Sequence, residues 1–211
     1  MKGSLIIITS PSGGGKGTLI REVLATMPEM TYSVSYTTRP TRAGEKDGRE
    51  YFFISREEFE ERRDKGEFLE YAMVHGNLYG TSRSQIEKIT NDGKDVILEI
   101  DVQGANIILE KEPDTISVFI LPPSFATLSE RLKKRATESP KEIELRLRNA
   151  FSEVQQFKNF RYLVVNEVLK DAADDIRAII RAERLKTVRR KDDIRGILDG
   201  FDVSKTTLPG E

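Results

Sequence analysis

Cysteine is absent from the 211 residues, and no apolar run is long. Without cysteine the chain has neither disulfides nor thiolate chemistry, which fits a reducing compartment. The first apolar run, residues 5–8, ends at Thr9, whereas a membrane-spanning helix needs about 20 apolar residues. No small-residue cleavage site follows it. We therefore expect a cytoplasmic protein with no membrane span and no targeting segment.

An excess of charge of either sign is also missing. The 34 basic and 35 acidic residues give a net charge of −1, so no long-range field recruits nucleic acid or an anionic membrane. A basic run at residues 181–195 is interleaved with acidic and apolar residues, which indicates the solvated face of a helix. We expect no nucleic-acid partner, and the sequence leaves the oligomeric state open.

Apolar strands alternate with helical patterns through most of the chain. Apolar runs predict core strands at residues 5–8, 95–101, 116–121 and 162–165. Helical patterns cover residues 18–27, 124–135, 140–158 and 171–198, and one more begins at 103. This alternation predicts one α/β domain with a doubly wound parallel sheet. The expected core comprises residues 1–31, 84–123 and 149–198, and the tail, 199–211, is expected to be loose.

Residues 32–83 differ in composition, being rich in Tyr, Thr, Arg and Gly, and we expect them to form an inserted subdomain. Short strands are predicted at residues 33–39, 51–54, 68–74 and 77–79. Ser55 and Ser82 each begin a capping box, in which a hydroxyl residue precedes Glu or Gln by three positions, and each box predicts a helix start. The single histidine, His75, falls in a hairpin turn and has no expected role.

Residues 9–18, T-S-P-S-G-G-G-K-G-T, join the first strand to the first helix. Glycines let backbone N–H groups converge on an anion, and a helix N-terminus and a lysine add positive charge. Against the pattern G-x-x-x-x-G-K-(S/T), Ser10 replaces a glycine and Gly17 replaces the hydroxyl residue. An ordinary tight turn is the simpler interpretation, but three glycines before a lysine favour a nucleotide phosphate site. The candidate phosphate-binding residues are Ser12, Gly13, Gly14, Gly15, Lys16, Gly17 and Thr18.

A second candidate anion site lies at residues 38–53. Arg39 and Arg42 flank a proline that stiffens the loop, and Tyr51 follows. A guanidinium fork matches two phosphate oxygens at once. A solvated basic loop is the alternative interpretation of this segment.

The run from Thr38 to Ile54 resembles the signature of the guanylate kinase family, T-(S/T)-R-x-x-(K/R)-x-x-(D/E)-x-x-G-x-x-Y-x-(F/Y). Residues 77–82, 99–104 and 120–124 resemble that family's G-N-x-Y-G-(S/T), D-I-D-x-Q-G and F-I-x-P-P-S segments, so the resemblance covers about residues 3–190. It implies a P-loop NTPase-like fold with an NMP-binding subdomain at 32–83 and a helical lid at 124–148. The implied reaction is in-line transfer of a phosphoryl group from ATP to GMP, and to dGMP, with Mg²⁺ as cofactor.

The resemblance also implies residues that bind GMP. The residues expected to hold its phosphate are Arg39, Arg42, Tyr51 and Tyr79. Glu70 should accept hydrogen bonds from the ring N–H and the exocyclic amine of guanine, a pair of donors that adenine lacks. Ser35 and Thr81 are candidates to donate to the guanine O6. Read without the family, Glu70 is an exposed strand residue.

On the donor side, the resemblance places Asp101 near Mg²⁺, through water, or against the GMP nucleotide, and Glu99 is the lesser metal candidate. A helix N-cap is the alternative role of Asp101. Asn166 is expected near the adenine of ATP, or else at a helix cap. Arginines in the lid are Arg131, Arg135 and Arg146. The expected catalytic residues are Lys16, Arg39, Arg135 and Arg146.

One feature departs from the family pattern. The family usually has Ser or Thr directly after the loop lysine, whereas this chain has Gly17 and then Thr18, an order that resembles adenylate kinases. Thr18 is therefore an alternative metal ligand only. Two other functions are consistent with parts of the sequence. One is a kinase for a small phosphate ester such as a ribose bisphosphate, and Glu70 disfavours it; the other is a phosphate-binding module without activity, and Lys16 disfavours it.

Overall fold

The computed structural model describes residues 2–74, 76–134, 140–190 and 194–201. The strands are β1 Leu5–Thr9, β2 Met30–Tyr32, β3 Tyr36–Thr37, β4 Phe52–Phe53, β5 Phe68–Val74, β6 Asn77–Ser82, β7 Asp95–Glu99, β8 Ile116–Leu121 and β9 Tyr162–Val165. The α-helices are α1 Lys16–Leu24, α2 Arg56–Asp64, α3 Arg83–Asn91, α4 Val102–Lys111, α5 Phe125–Lys134, α6 Pro140–Gln155, α7 Leu169–Arg184, α8 Thr187–Arg190 and α9 Arg195–Asp199.

The larger sheet is parallel and has the strand order β2-β7-β1-β8-β9. Its central strand, β1, is apolar throughout residues 5–8 because helices cover both faces of the sheet. Ile6 and Ile8 belong to the core on the side of α1 and α7, while Ile7 belongs to the core on the side of α3 and α4. The predicted strands β1, β7, β8 and β9 and the doubly wound α/β fold class are confirmed.

A smaller sheet, with the order β4-β3-β6-β5, is built from the segment between β2 and α3. Its hairpin, β5 and β6, is antiparallel, and Phe59, Phe68 and Leu78 form a separate apolar cluster beneath it. Both predicted caps are confirmed, because Ser55 Oγ accepts from the Glu58 N–H at 3.1 Å and Ser82 Oγ accepts from the Gln85 N–H at 3.3 Å.

One strand was missed, and two predicted helices end earlier than expected. Strand β2 was missed because it is a three-residue edge strand without an apolar run. The helix expected at 140–158 ends at Gln155 and continues as a 3-10 turn, Gln156–Asn159. The helix expected at 171–198 ends at Arg184, and two short helices follow. Leu185, at that break, is 63% exposed, and a helix without an apolar face against the core gains little from continuing.

The carboxyl end of β1 opens into the phosphate loop, and the carboxyl end of its neighbour β7 leads to Ile100 and Asp101. Thr9 Oγ1 donates to the Ile100 carbonyl at 2.9 Å and ties the two ends together. Crevices at the carboxyl ends of parallel strands are where such sheets bind ligands. Within the described part of the chain, no helix is both long and apolar enough to cross a membrane.

Candidate active site

A cavity of about 290 Å³ lies between the phosphate loop, the smaller sheet and α6. The predicted site residues that line it are Ser12, Gly13, Lys16, Gly17, Ser35, Arg39, Arg42, Tyr51, Glu70, Tyr79, Asp101 and Arg146. Residues that line it without having been predicted as site residues include Glu45 and Glu153. Arg135 lies outside the described residues. One cavity therefore joins most of the residues expected on the donor and acceptor sides.

The phosphate loop owes its shape to two glycines in the left-handed region. Gly13 has φ +88° and Gly15 has φ +90°, where residues with a side chain are strained. Space is also short, because a Cβ atom added at Gly15 would lie 2.4 Å from Asn166 Nδ2. The Gly14 N–H donates to the Pro11 carbonyl at 2.9 Å and closes the turn. The chain then enters α1 at Lys16, so the loop ends at a helix N-terminus.

Lys16 reaches across the loop. Its Nζ donates to the Ile100 carbonyl at 3.0 Å, which fixes the ammonium at the edge of the cavity. Gly17 lies against Glu99, since a Cβ atom there would be 3.3 Å from Glu99 Oε1. Thr18 is exposed and is not among the lining residues of the cavity. The change from a hydroxyl residue to Gly17 thus allows close approach of the Glu99 carboxylate.

Arg39 is held by acceptors on its own loop. Its Nη2 donates to both carboxylate oxygens of Glu45, at 2.8 and 3.0 Å, and its guanidinium lies over the Tyr51 ring, 5.4 Å from the centroid. Glu45 also accepts from the Arg42 N–H at 2.8 Å. Burial alone would raise the pKa of the Glu45 carboxyl, but these hydrogen bonds from Arg39 and Arg42 outweigh it and hold that pKa below its ordinary value. The basic loop is therefore ordered around Glu45, while residues 41–44 and 46–49 are exposed to solvent.

Glu70 is 4% exposed, so its interpretation as an exposed strand residue is wrong. The strand register shifts between Phe68 and Glu70, and this irregularity turns three consecutive residues away from solvent. Thr81 Oγ1 donates to Glu70 Oε1 at 2.6 Å. Burial, opposed in part by that hydrogen bond and reinforced by the Asp101 charge, raises the pKa of Glu70 to about 7. The site thus contains a desolvated carboxyl group that lacks a cationic partner in direct contact among the described residues.

Two tyrosines, Tyr51 and Tyr79, line the cavity, and a third, Tyr32, contacts the lining residue Glu99. The rings of Tyr51 and Tyr79 meet edge to face with centroids 5.7 Å apart. Burial is the main reason that the pKa of Tyr51 is raised to about 12, and the negative charge of Glu99 is the second reason. Tyr32, which the sequence analysis missed, donates from its hydroxyl to Glu99 Oε2 at 3.2 Å, and burial raises its pKa as well. The Tyr51 and Tyr32 hydroxyls therefore stay protonated and can serve as hydrogen-bond donors.

Asp101 is the N-cap of helix α4, the role that the sequence offered as its alternative. Its Oδ1 accepts from the Gly104 N–H at 2.9 Å and caps α4, while the residue also lines the cavity. Across the described ranges, there is no group of three or more acidic, His or Cys side chains that could enclose a metal ion.

Helix α6 contacts the phosphate loop at Ser12. Arg146 Nη1 donates to Ser12 Oγ at 3.3 Å, and the Ser12 N–H donates to Glu153 Oε2 at 3.0 Å. Arg146 and Glu153 are seven residues apart, which places them two turns apart on one face of the helix. That spacing puts Glu153 on the same face as Arg146, but its contact with Ser12 has no signal in the sequence.

Asn166 is buried at the end of β9, and its Nδ2 donates to the Gly14 carbonyl at 2.9 Å. Arg131, on α5, donates from Nη2 to the Asn166 carbonyl at 3.0 Å. The helix that follows begins at Leu169 after Val168, which makes no side-chain cap. The helix-cap interpretation of Asn166 is therefore wrong.

The profile that describes guanylate kinase matches residues 2–183. The chain belongs to the guanylate kinase family. It is 50% identical over 194 residues to the guanylate kinase of Thermotoga maritima, a match that covers 92% of this chain and 94% of that protein. It is 48% identical over 197 residues to the guanylate kinase of Nitrosomonas europaea, covering 93% and 98% of the two chains. The crystal structure of guanylate kinase from Anaplasma phagocytophilum superposes with a TM-score of 0.75 at 36% identity, covering 89% of each chain.

Guanylate kinases phosphorylate GMP to GDP with ATP, and they generally use Mg²⁺. The resemblance, the P-loop NTPase-like fold class and the enzymatic function expected from the sequence are confirmed by these matches. Both substrates of a guanylate kinase carry phosphate groups, and the cavity has cationic groups on two separate segments, Lys16 at the phosphate loop and Arg39 with Arg42 in the loop that follows β3. Guanylate kinases therefore provide a direct chemical explanation for a cavity with cationic groups at two places.

Proposed function

We propose that GMP, or dGMP, binds in the 290 Å³ cavity with its base at Glu70 and its phosphate at Arg39 and Arg42, facing ATP phosphates held by residues 12–18. Phosphoryl transfer is then direct and in line. The observation that carries this proposal is the joint presence, in one cavity, of the buried Glu70 carboxyl and the phosphate loop with Lys16. A carboxylate that can read a base, with a cradle for phosphates and a separate pair of arginines in the same cavity, suits a site where one nucleotide accepts a phosphoryl group from another.

Glu70 gives the site its preference for guanine. The ionised carboxylate accepts from the ring N–H and the exocyclic amine, while Ser35 and Thr81 supply hydroxyl donors toward O6. Adenine would leave the buried carboxylate without these donors, and an unpaired buried group carries a penalty of about 1–3 kcal/mol or more when charged. Discrimination against a base that lacks the matching groups can therefore be large.

The acceptor phosphate is held by two guanidinium groups and by the hydroxyls of Tyr51 and Tyr79. Glu45 orders Arg39 before the substrate arrives, which lowers the entropic cost of binding. The attacking oxygen of GMP is already anionic, so the reaction needs no general base. Alignment and charge neutralisation must supply the rate.

On the donor side, Lys16 and the N–H groups of the loop hold the ATP phosphates. Mg²⁺ typically takes one or two protein carboxylates and fills its shell with phosphate oxygens and water, which fits the two carboxylates here, Asp101 and Glu99. When bound, the ion neutralises charge on the donor phosphates. Asp101 would hold it through water, and the exposed position of Thr18 disfavours that residue as a direct ligand.

Arg146 stabilises the negative charge on the phosphoryl group during its transfer, with Arg135 as its expected partner. Arg146 lines the cavity beside Ser12, so its guanidinium is near the loop in which the donor phosphates lie. Two nucleotides must meet with water excluded, and we expect residues 32–83 and the lid, residues 124–148, to close over them.

The proposal is tested by ATP consumption with GMP, dGMP, AMP, UMP and CMP as parallel acceptors, each with Mg²⁺ and with a chelator in its place. Turnover should occur with GMP and dGMP only and should require the metal. Equal turnover with AMP would contradict the base-reading role of Glu70. Absence of turnover with every acceptor would support a phosphate-binding module instead of an enzyme.

A further inference from the structure

The carbonyl oxygen of Gly14 accepts two side-chain hydrogen bonds. Asn166 Nδ2 donates to it at 2.9 Å and Arg131 Nη1 at 3.4 Å. Arg131 also donates to the Asn166 backbone carbonyl at 3.0 Å, so the two side chains support each other. Asn166 is 5% exposed, and its amide nitrogen packs so closely that a Cβ atom at Gly15 would lie 2.4 Å away. A buried asparagine and an arginine are thus both directed at one peptide group of the phosphate loop.

That peptide group joins two glycines and has little conformational preference of its own, because glycine populates positive and negative φ about equally. In a planar trans peptide the N–H points opposite to the C=O. When the Gly14 carbonyl faces Asn166 and Arg131, the Gly15 N–H must face away from them. The residues on either side of this peptide group, Gly13 and Lys16, line the cavity. The two side chains therefore select one of the orientations that the glycines permit.

We propose that Asn166 and Arg131 are positioning residues that act through the Gly14 carbonyl and direct the Gly15 N–H at a phosphate of the donor nucleotide. The inference rests on the proposed function, because it concerns the same donor site. It differs from a contact between Asn166 and the adenine base, because its effect falls on the phosphates whatever base they carry.

The test separates phosphates from base by using inorganic tripolyphosphate, with Mg²⁺, beside ATP. Asn166→Ala and Arg131→Ala should each lower the binding affinity for ATP and for tripolyphosphate by the same factor. We expect that factor to be about tenfold, for the loss of one hydrogen-bonded contact. Arg131→Lys, which keeps a donor, should recover part of the loss. The KM for GMP should stay within about twofold, since the acceptor groups are untouched.

Matched controls are Asn159→Ala and Arg148→Ala, which remove an exposed asparagine and an exposed arginine away from the loop. Both should bind tripolyphosphate like the wild type. If Asn166→Ala lowers the affinity for ATP but leaves the affinity for tripolyphosphate unchanged, Asn166 contacts the base and the inference is wrong. Unchanged affinity for both ligands also overturns it. If thermal melting shows that Asn166→Ala does not fold, the variants of the half-buried Arg131 provide the test, through the same affinities for ATP and tripolyphosphate. A wild type that binds tripolyphosphate but does not phosphorylate GMP contradicts the proposed function and leaves the positioning role measurable.

Discussion

Thr81 donates its hydroxyl hydrogen to the Glu70 carboxylate over 2.6 Å, across a hairpin in which these two residues are paired. One carboxylate oxygen is thereby fixed by the strand partner. The other, Oε2, lies against the first turn of α4, where a Cβ atom added at Gly104 would be only 2.6 Å away. The carboxyl group is thus positioned from two sides, by the smaller sheet and by helix α4, which packs against the larger sheet.

Acidification should weaken use of GMP. Because burial raises the pKa of Glu70 to about 7, with Asp101 adding to that rise, lowering the pH from 8 to 6 protonates the carboxyl and removes an acceptor for guanine. We expect kcat/KM for GMP to fall about tenfold per pH unit below 7. Glu70→Gln should have low kcat/KM and should lose this pH dependence, keeping only the titration of the GMP phosphate, near pH 6. An identical profile for both proteins would rule out Glu70 as the titrating group.

The same raised pKa predicts how Glu70 affects stability. Its value moves from 4.5 to about 7 on folding, so the folded state is favoured while the group is protonated, fully below pH 4.5. That contribution is lost as the pH rises to about 7, and by linkage it amounts to about 3 kcal/mol. Glu70→Gln should therefore raise the thermal midpoint relative to the wild type at pH 8 much more than at pH 5. An equal difference at both values would contradict the assignment.

Gly104→Ala should impair GMP binding, because the added methyl group would displace the Glu70 carboxylate. The control is Gly196→Ala, where a Cβ atom meets nothing within 4 Å. Both changes favour helix formation by about 1 kcal/mol, so neither is expected to unfold the protein. The KM for GMP should rise about tenfold or more in Gly104→Ala only, since small displacements in a site have large effects. Wild-type KM in both variants would show that the carboxylate moves freely.

Removing Arg146 should slow the chemical step. A charge-stabilising arginine in phosphoryl transfer can contribute roughly 10³–10⁵ in rate, so Arg146→Ala should lower kcat far more than it changes the KM for GMP. Arg148→Ala is the matched control, because Arg148 lies on the same helix and pairs with Glu144 on the surface at 2.6 Å. Steady-state kinetics of the two variants decide the matter. Near wild-type kcat in Arg146→Ala would remove Arg146 from the mechanism.

Glu45→Gln should raise the KM for GMP about tenfold, on the expectation that a lost charge-assisted hydrogen bond is worth about 1.5–3 kcal/mol. The change removes the charge that holds Arg39 at 2.8 Å. Glu50→Gln is the control, since Glu50 pairs with Arg49 at 2.6 Å in the same loop but in a more exposed setting, where such pairs contribute little. A similar KM in both variants would mean that the basic loop orders itself without Glu45.

Patterns local in sequence predicted most of the framework. Continuous apolar runs predicted four of the five strands in the larger sheet, and hydroxyl residues three positions before Glu or Gln predicted the starts of α2 and α3. Strand β2 has neither signal, since Met30–Tyr32 is a strand only because β7 offers it an edge. The break after Arg184 was equally hidden, because a helix continues only while its apolar face has a partner.

The residues of the site divide in the same way, into those with a signal local in sequence and those whose role depends on distant residues. The phosphate loop, the arginines near residue 40 and the order of the family segments are legible in the sequence, so the family and the reaction could be predicted from it. The burial and the hydrogen-bond partners of each group could not be predicted from the sequence. Glu153 was missed because its role depends on Ser12, from which it is separated by 141 positions in the chain.

The sequence by itself determined the chemistry available to this protein: a glycine loop with Lys16, a pair of arginines, and a glutamate in a strand. Tertiary structure decided what each group became. Burial turned Glu70 into a carboxyl group with a pKa of about 7, and an asparagine 152 positions away was brought to the Gly14 carbonyl. The physical reason is that hydrogen-bond partners and desolvation depend on proximity in space, whereas sequence patterns report only neighbours along the chain.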